Sequence, residues 1–147
     1  MIVTLDTGIL VRATPQSNGP ARRLVELWSM TRDTRFALSR YILAEVGKAL
    51  SYSRLYRLLR LTPEDIQAHL DFLAAVVELV DPVPGSPVIL TDPKDDPVFY
   101  TAVAAGADVL CARDRGFYAP NVVALADRHD LSIMDDLRLL AMLESRH

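Results

Sequence analysis

The sequence predicts an α/β domain in three layers: a central, mostly parallel sheet of four to five strands with helices on both faces. Three observations predict it. Short apolar or β-branched runs alternate along the chain with longer segments of helical periodicity, as in strands joined by crossover helices. Helix-start signals fall between those runs, at Ser39, at Thr62-Pro63-Glu64 and at Asp96-Pro97. Acids stand just past apolar runs, at Asp6 and Asp114, where a parallel sheet presents the edge that binds ligands. With 147 residues, half of them hydrophobic, residues 1–147 read as a single domain large enough to bury a core.

In chain order, Ile2–Leu5 is the first strand and ends in Asp6. Pro15–Gly19 is a loop, and a helix follows over Asn18–Met30 with Leu24, Val25, Leu27 and Trp28 on its apolar face. Arg35–Leu38 is the second strand. Ser39 caps a helix to about Leu50, and helical pattern continues over Tyr52–Leu61. Thr62 caps the next helix, with Pro63 at its first position, to about Ala75. Val76–Val80 is the third strand, and Asp81–Pro87 is a Pro/Gly-rich loop. Asp96 reads as the cap of a helix from Pro97 to Ala105, which Gly106 ends. Val109–Ala112 is a buried strand, Leu131–Met134 a last strand, and Leu137–Leu143 a closing helix.

Composition excludes several classes. No apolar run approaches the length of a membrane span, and the MIVTLD start lacks the basic region of a secretory signal. One cysteine, Cys111, cannot form an internal disulfide and fits a reducing cytoplasm; it is expected in the core. His69, His129 and His147 lack zinc-ligand spacing and are expected at the surface. The net charge of −3 gives no overall basic field, yet 14 of the 16 basic residues are arginine, the side chain best suited to phosphate. Arg35, Arg40, Lys48, Arg54, Arg57 and Arg60 stand against one acid, Glu45, between Asp33 and Glu64. They form either a solvated face or a rim that tracks phosphates.

The chemistry concentrates in acids. Thr91–Phe117 holds five aspartates, at 92, 95, 96, 108 and 114. Glu45 falls in the helical stripe of Tyr41, Ile42, Val46 and Ala49, where a carboxylate is costly unless paired or bound to a metal. Asp6, Glu45, Asp96 and Asp114 are therefore the candidate site. Four converging carboxylates raise one another's pKa, and a divalent ion removes the repulsion. Oxygen ligands select Mg²⁺ or Mn²⁺, which suit work on phosphodiesters. Asp92 and Asp95 are expected as turn formers, with Asp95 also a candidate to support the site. Asp108 is expected in solvent, and Asp135 and Asp136 as helix caps.

The ordered segments IVTLDTGILV (Ile2–Val11), LSRYILAEV (Leu38–Val46), DPKDDPVFYTAVAAGADVLCARDRGF (Asp92–Phe117) and LSIMDDLRLL (Leu131–Leu140) resemble the PIN-domain nucleases, most closely the VapC-like toxins of toxin–antitoxin pairs. The resemblance spans essentially the whole chain and implies a PIN-like fold. It implies a Mg²⁺- or Mn²⁺-dependent ribonuclease cutting single-stranded RNA, a homodimer, and a cognate antitoxin protein. It places catalytic and metal-binding roles on Asp6, Glu45, Asp96 and Asp114. Gly8 and Gly116 depart from it: relatives often carry Asn or Ser at the first position and Asp at the second. Arg40, Arg54 and Arg57, with Arg113 and Arg115 flanking Asp114, are the candidate substrate-binding residues. Two other readings compete: a non-catalytic PIN-like module that holds RNA or protein, and a haloacid-dehalogenase-like phosphohydrolase. The second needs an Asp where Gly8 stands.

Overall fold

In a computed structural model that describes residues 1–146, excepting the side chains of Ser29 and Ser53, five parallel strands form one sheet. They are β1 (Ile2–Leu5), β2 (Arg35–Leu38), β3 (Glu78–Leu79), β4 (Val109–Cys111) and β5 (Ser132–Met134). Their order is β3-β2-β1-β4-β5. The chain therefore leaves β1 toward one edge, through β2 and β3, and later returns to build β4 and β5 on β1's other side. Such a reversal opens a crevice at the carboxyl ends of the two central strands. Here those strands are β1 and β4, paired in register from Val3–Val109 to Leu5–Cys111. The amide of Asp6 extends the ladder to the Cys111 carbonyl at 2.9 Å.

Among the described residues, eight helices join the strands: α1 (Thr7–Val11), α2 (Pro20–Met30), α3 (Arg40–Ser51), α4 (Ser53–Leu58), α5 (Pro63–Val76), α6 (Asp96–Ala105), α7 (Pro120–Arg128) and α8 (Asp136–Ser145). Helix α6 packs on β1, β2 and β4 and against α3, while α2 packs on α8. Central strands covered this way must be apolar on both sides, and Val3, Leu5, Phe36, Leu38, Val109, Leu110 and Cys111 are all buried. Trp28 stacks on Phe36 at 4.0 Å between ring centroids, which fixes α2 to β2.

The start signals act as expected at two helices. The Ser39 hydroxyl accepts from the Ile42 amide, and Thr62 and Asp65 form a reciprocal capping box. Gly106 closes α6 at φ 62°.

Elsewhere the structure departs from the expectation. The third strand is only Glu78–Leu79, because α5 continues through Val76 and the strand is an exposed edge. The residues after Asp6 form α1, a single turn whose apolar run, Ile9–Val11, blends into the strand pattern before it. Helix α7 carries a legible signal, Pro120 at its first position with Val122, Leu125 and Ala126 at helical spacing, but Ala119 gives it no capping side chain. His69 is buried, not at the surface: its Nε2 lies 3.0 Å from the Leu10 carbonyl, and burial lowers its pKa. His129 is exposed, and His147 lies outside the described residues.

Candidate active site

The edge where β1 and β4 end is acidic. Asp6, Asp92, Asp95 and Asp114 line a cleft of about 440 Å³, together with Thr7, Gly8, Arg12 and Arg113. Each acid arrives by a different device. Asp6 is the residue between β1 and α1, held in extended conformation by the ladder bond to Cys111. Asp114 follows β4 and caps a short 3-10 turn, its Oδ1 accepting from the Gly116 amide at 2.8 Å. Asp92 caps another such turn, Pro93–Asp95, its Oδ1 accepting from the Lys94 amide. That turn runs directly into α6, and Asp95 ends it.

The continuity of turn and helix moves one assignment. Pro97 suggests Asp96 as the cap, but Asp96 already has helical backbone angles and Asp95 occupies the cap position. The Asp95 side chain makes no capping bond, so its carboxylate belongs to the cleft. The Asp96 carboxylate serves the neighbouring loop: its Oδ1 accepts from the amides of Ile89 at 2.7 Å and Val88 at 3.2 Å. Asp92 and Asp95, expected mainly as turn formers, thus stand with Asp6 and Asp114, and Asp96 stands behind them.

Glu45 is also placed differently. Its side chain is 26% exposed, on the edge of the α3 stripe and not within it, and it pairs with Lys48 at 3.4 Å. One turn before it on α3, the Tyr41 hydroxyl donates to the Lys94 carbonyl at 2.7 Å and so pins the turn that carries Asp95. Burial raises the Tyr41 pKa, and Glu45, Asp95, Asp92 and Asp96 raise it further.

The charges crowd one another. Burial pushes Asp6 up to about 6, against the help of the Thr7 and Gly8 amides, and Asp114 adds to the rise. Burial pushes Asp95 up to about 7, with Asp6, Asp92, Asp114 and Asp96 all contributing. Arg12 lowers Asp6, a positive charge delivered one turn after Gly8, whose carbonyl accepts from its Nε at 3.2 Å. Sequence reading missed Arg12; its signal is the i+4 spacing that turns it back over Gly8.

Gly116 has a local explanation. A Cβ there would lie 2.6 Å from the Thr91 hydroxyl and 3.2 Å from Asp114 Oδ1, so a side chain would enter only by displacing Thr91. Gly8 is different: its Cβ would meet Asp6 Oδ2 only at 3.7 Å, which leaves room.

Of the five candidate arginines, Arg113 lines the cleft. Its Nε donates to Asp136 Oδ1 at 2.7 Å, and that carboxylate is 2% exposed. Asp136 therefore orients an arginine as well as opening α8; Asp135 is the cap, accepting from the Arg138 amide. Arg115 is exposed beside Asp114, Arg40 is exposed at the start of α3, and Arg54 and Arg57 are exposed on α4.

The donor set fits a hard divalent cation. It is all oxygen, and Asp6 Oδ1 is buried with no hydrogen-bond partner among the described residues, an arrangement that a cation would satisfy. Among the described residues, no three His, Cys, Asp or Glu side chains stand together in a geometry that could hold a metal as they are. Asp92, Asp95 and Asp114 are all at least partly exposed, which gives their carboxylates room to turn.

The family model for the PIN domain matches residues 2–116. No curated protein matches. Solved structures do: VapBC2 from Rickettsia felis bound to a DNA fragment from their promoter, at 20% identity and TM-score 0.57, covering 92% of this chain and 98% of that one. FitAcB from Neisseria gonorrhoeae matches at 18% identity and TM-score 0.52, over 93% and 99%. FitAB bound to the IR36 DNA fragment matches at 18% and TM-score 0.51, over 92% and 95%. At these identities the structures establish a shared fold.

Proposed function

The chain belongs to the PIN-domain family, and from that premise we propose that it is a Mg²⁺- or Mn²⁺-dependent endoribonuclease acting on single-stranded RNA, the toxin of a toxin–antitoxin pair. The observation that carries the reading is Asp6: a buried carboxylate with an unpartnered oxygen, in one cleft with Asp92, Asp95 and Asp114. Asp6, Asp95 and Asp114 are the proposed ligands, with Asp92 beside them and Glu45 at the rim. Asp96 holds the 88–89 loop on which that arrangement rests. A divalent ion bound there supplies Lewis acidity toward a phosphodiester oxygen and a water.

The chain's own groups do the rest. Arg12 and Arg113 line the cleft and offer guanidinium groups to the nonbridging oxygens of a phosphate. No side-chain nucleophile is required. Cys111 is fully buried, and burial drives its thiol far from ionisation.

The resemblance to VapC-like toxins, with the fold shared with the VapBC2 and FitAB structures, supports an antitoxin as this chain's partner; the homodimer is proposed from the family resemblance. Among the described residues no helix is long and apolar enough to cross a membrane.

The test is cleavage. The purified protein should cut single-stranded RNA with Mg²⁺ or Mn²⁺, stop in EDTA, and lose more than about a hundredfold in rate as Asp6→Asn or Asp114→Asn. Cleavage that persists in EDTA, or no cleavage under any divalent ion, would contradict the proposal. The non-catalytic module predicts the second result.

A further inference from the structure

Beside the acid cleft lies a second cavity, of about 580 Å³, lined by Arg113, Tyr118, Ile133, Met134, Asp135 and Arg138. Arg113 lines both. We infer that this cavity is the subsite for the nucleotide adjoining the scissile phosphate, with its base stacked on Tyr118 and its phosphate held by Arg113 and Arg138. The inference rests on the ribonuclease reading and names a substrate subsite within it.

Four observations carry it. The first is continuity: a chain passing through the acid cleft enters the cavity across Arg113. The second is how that arginine is set. Its Nε is committed to the buried Asp136 carboxylate at 2.7 Å, which leaves its two terminal nitrogens for a ligand and fixes where they stand. The third is Tyr118. Its hydroxyl donates back to the Ala112 carbonyl at 2.7 Å, yet the residue is 41% exposed. A ring tied at its polar end, on a residue 41% exposed in the cavity lining, offers a surface on which a base can stack. The fourth is the chemistry of the lining. Ile133 and Met134 add apolar groups to the lining, and Arg138 adds an exposed cation. Asp135, whose Oδ1 already accepts from the Arg138 amide, adds an acid to the lining. It disfavours a second phosphate in the cavity and suits the edge of a base, whose amino or imino hydrogens it can accept.

The test uses a single-stranded oligoribonucleotide and a series in which one abasic residue is walked past the cleavage site. Cleavage is followed with Mn²⁺, and binding is followed by fluorescence anisotropy in EDTA. One abasic position next to the cut should raise KM and weaken binding on the order of tenfold in the parent protein. Tyr118→Leu and, separately, the exposed Arg138→Gln should each weaken binding of the intact oligonucleotide. In Tyr118→Leu the abasic penalty should vanish, and in Tyr118→Phe, which keeps the ring, it should return. A penalty that survives Tyr118→Leu, or binding indifferent to both Tyr118→Leu and Arg138→Gln, overturns the subsite. The two readings separate: binding that depends on Tyr118 without any cleavage retains the subsite and removes the nuclease. Cleavage with a penalty independent of Tyr118 does the reverse.

Discussion

Asp95 and Asp96 are adjacent acids with different work. Asp95 ends a turn with its carboxylate in the cleft, and Asp96 accepts two loop amides. Asp95→Asn is therefore expected to abolish most cleavage while leaving folding intact. Asp96→Asn should instead lower the melting temperature, since a charge-assisted acceptor of two amides contributes roughly 1–3 kcal/mol. Melting curves and cleavage rates of the two variants, side by side, check this; an Asp96→Asn protein that is fully stable and wholly inactive would return the ligand role to Asp96. Asp6 gives a second prediction. Its folded-state value, about 6, lies above the ordinary 3.8. A raised carboxyl favours the folded state while protonated, so that stability is full below about pH 4 and is lost as the pH rises through about 6. Asp95, near 7, acts in the same direction up to a higher pH. In EDTA, Asp6→Asn should therefore outlast the parent by a margin that widens from pH 5 to pH 8, on the order of 1–3 kcal/mol at the upper end. A constant margin would mean that Asp6 does not titrate in this range. Glu45→Gln, by contrast, removes a partly exposed charge and should shift the ion-free stability little, within about 0.5 kcal/mol.

At the scale of elements, the turn from Pro93 to Asp95 decides the site, and it was the least legible part of the sequence. Asp-Pro before a helical run points to a cap at Asp96, and that rule holds only when the preceding backbone is extended. Here a 3-10 turn feeds the helix and advances the cap by one residue. The neighbours that hold the turn, Tyr41 from α3 and Asp92 at its start, come from tertiary contact and a local side-chain bond. Tyr41 belongs to the apolar stripe by spacing, and nothing in that spacing reveals its hydroxyl on the Lys94 carbonyl. Other elements were readable because their signals are local: Arg35–Leu38 as a strand, Ser39 and Thr62 as caps, Gly106 as a stop. Helix α1 was not, being one turn of apolar residues fused to a strand, and α7 lacks a capping side chain. Tyr41→Phe is predicted to keep the fold and loosen the turn, which lowers cleavage several-fold and speeds amide exchange at Lys94 and Asp95. Unchanged exchange would remove the hydroxyl from the account. On α4, exposed Arg54 and Arg57 bear on substrate grip. Replacing both by Ala should reduce the salt dependence of single-stranded RNA binding by about 0.7 for each phosphate that is no longer neutralised. An unchanged slope would leave α4 an ordinary solvated face.

The whole molecule turns on the reversal of strand order between β1 and β4. It brings Asp6 and Asp114, 108 positions apart in sequence, onto one edge. It also draws in the turn before α6, and the resulting cleft collects charges that a folded protein would otherwise keep apart. A divalent ion bound there would relieve that repulsion, and a ligand stabilises only through its affinity for the folded state. The most direct measurement is the melting temperature at pH 8 in EDTA and in Mn²⁺, for the parent protein and for Asp6→Asn, Asp95→Asn and Asp96→Asn. Mn²⁺ should raise the parent's melting temperature by several degrees, and the gain should disappear in Asp6→Asn and Asp95→Asn while largely surviving in Asp96→Asn. An equal gain in Asp6→Asn and the parent would show that the ion binds elsewhere, and the cleft would lose its claim to be the metal site.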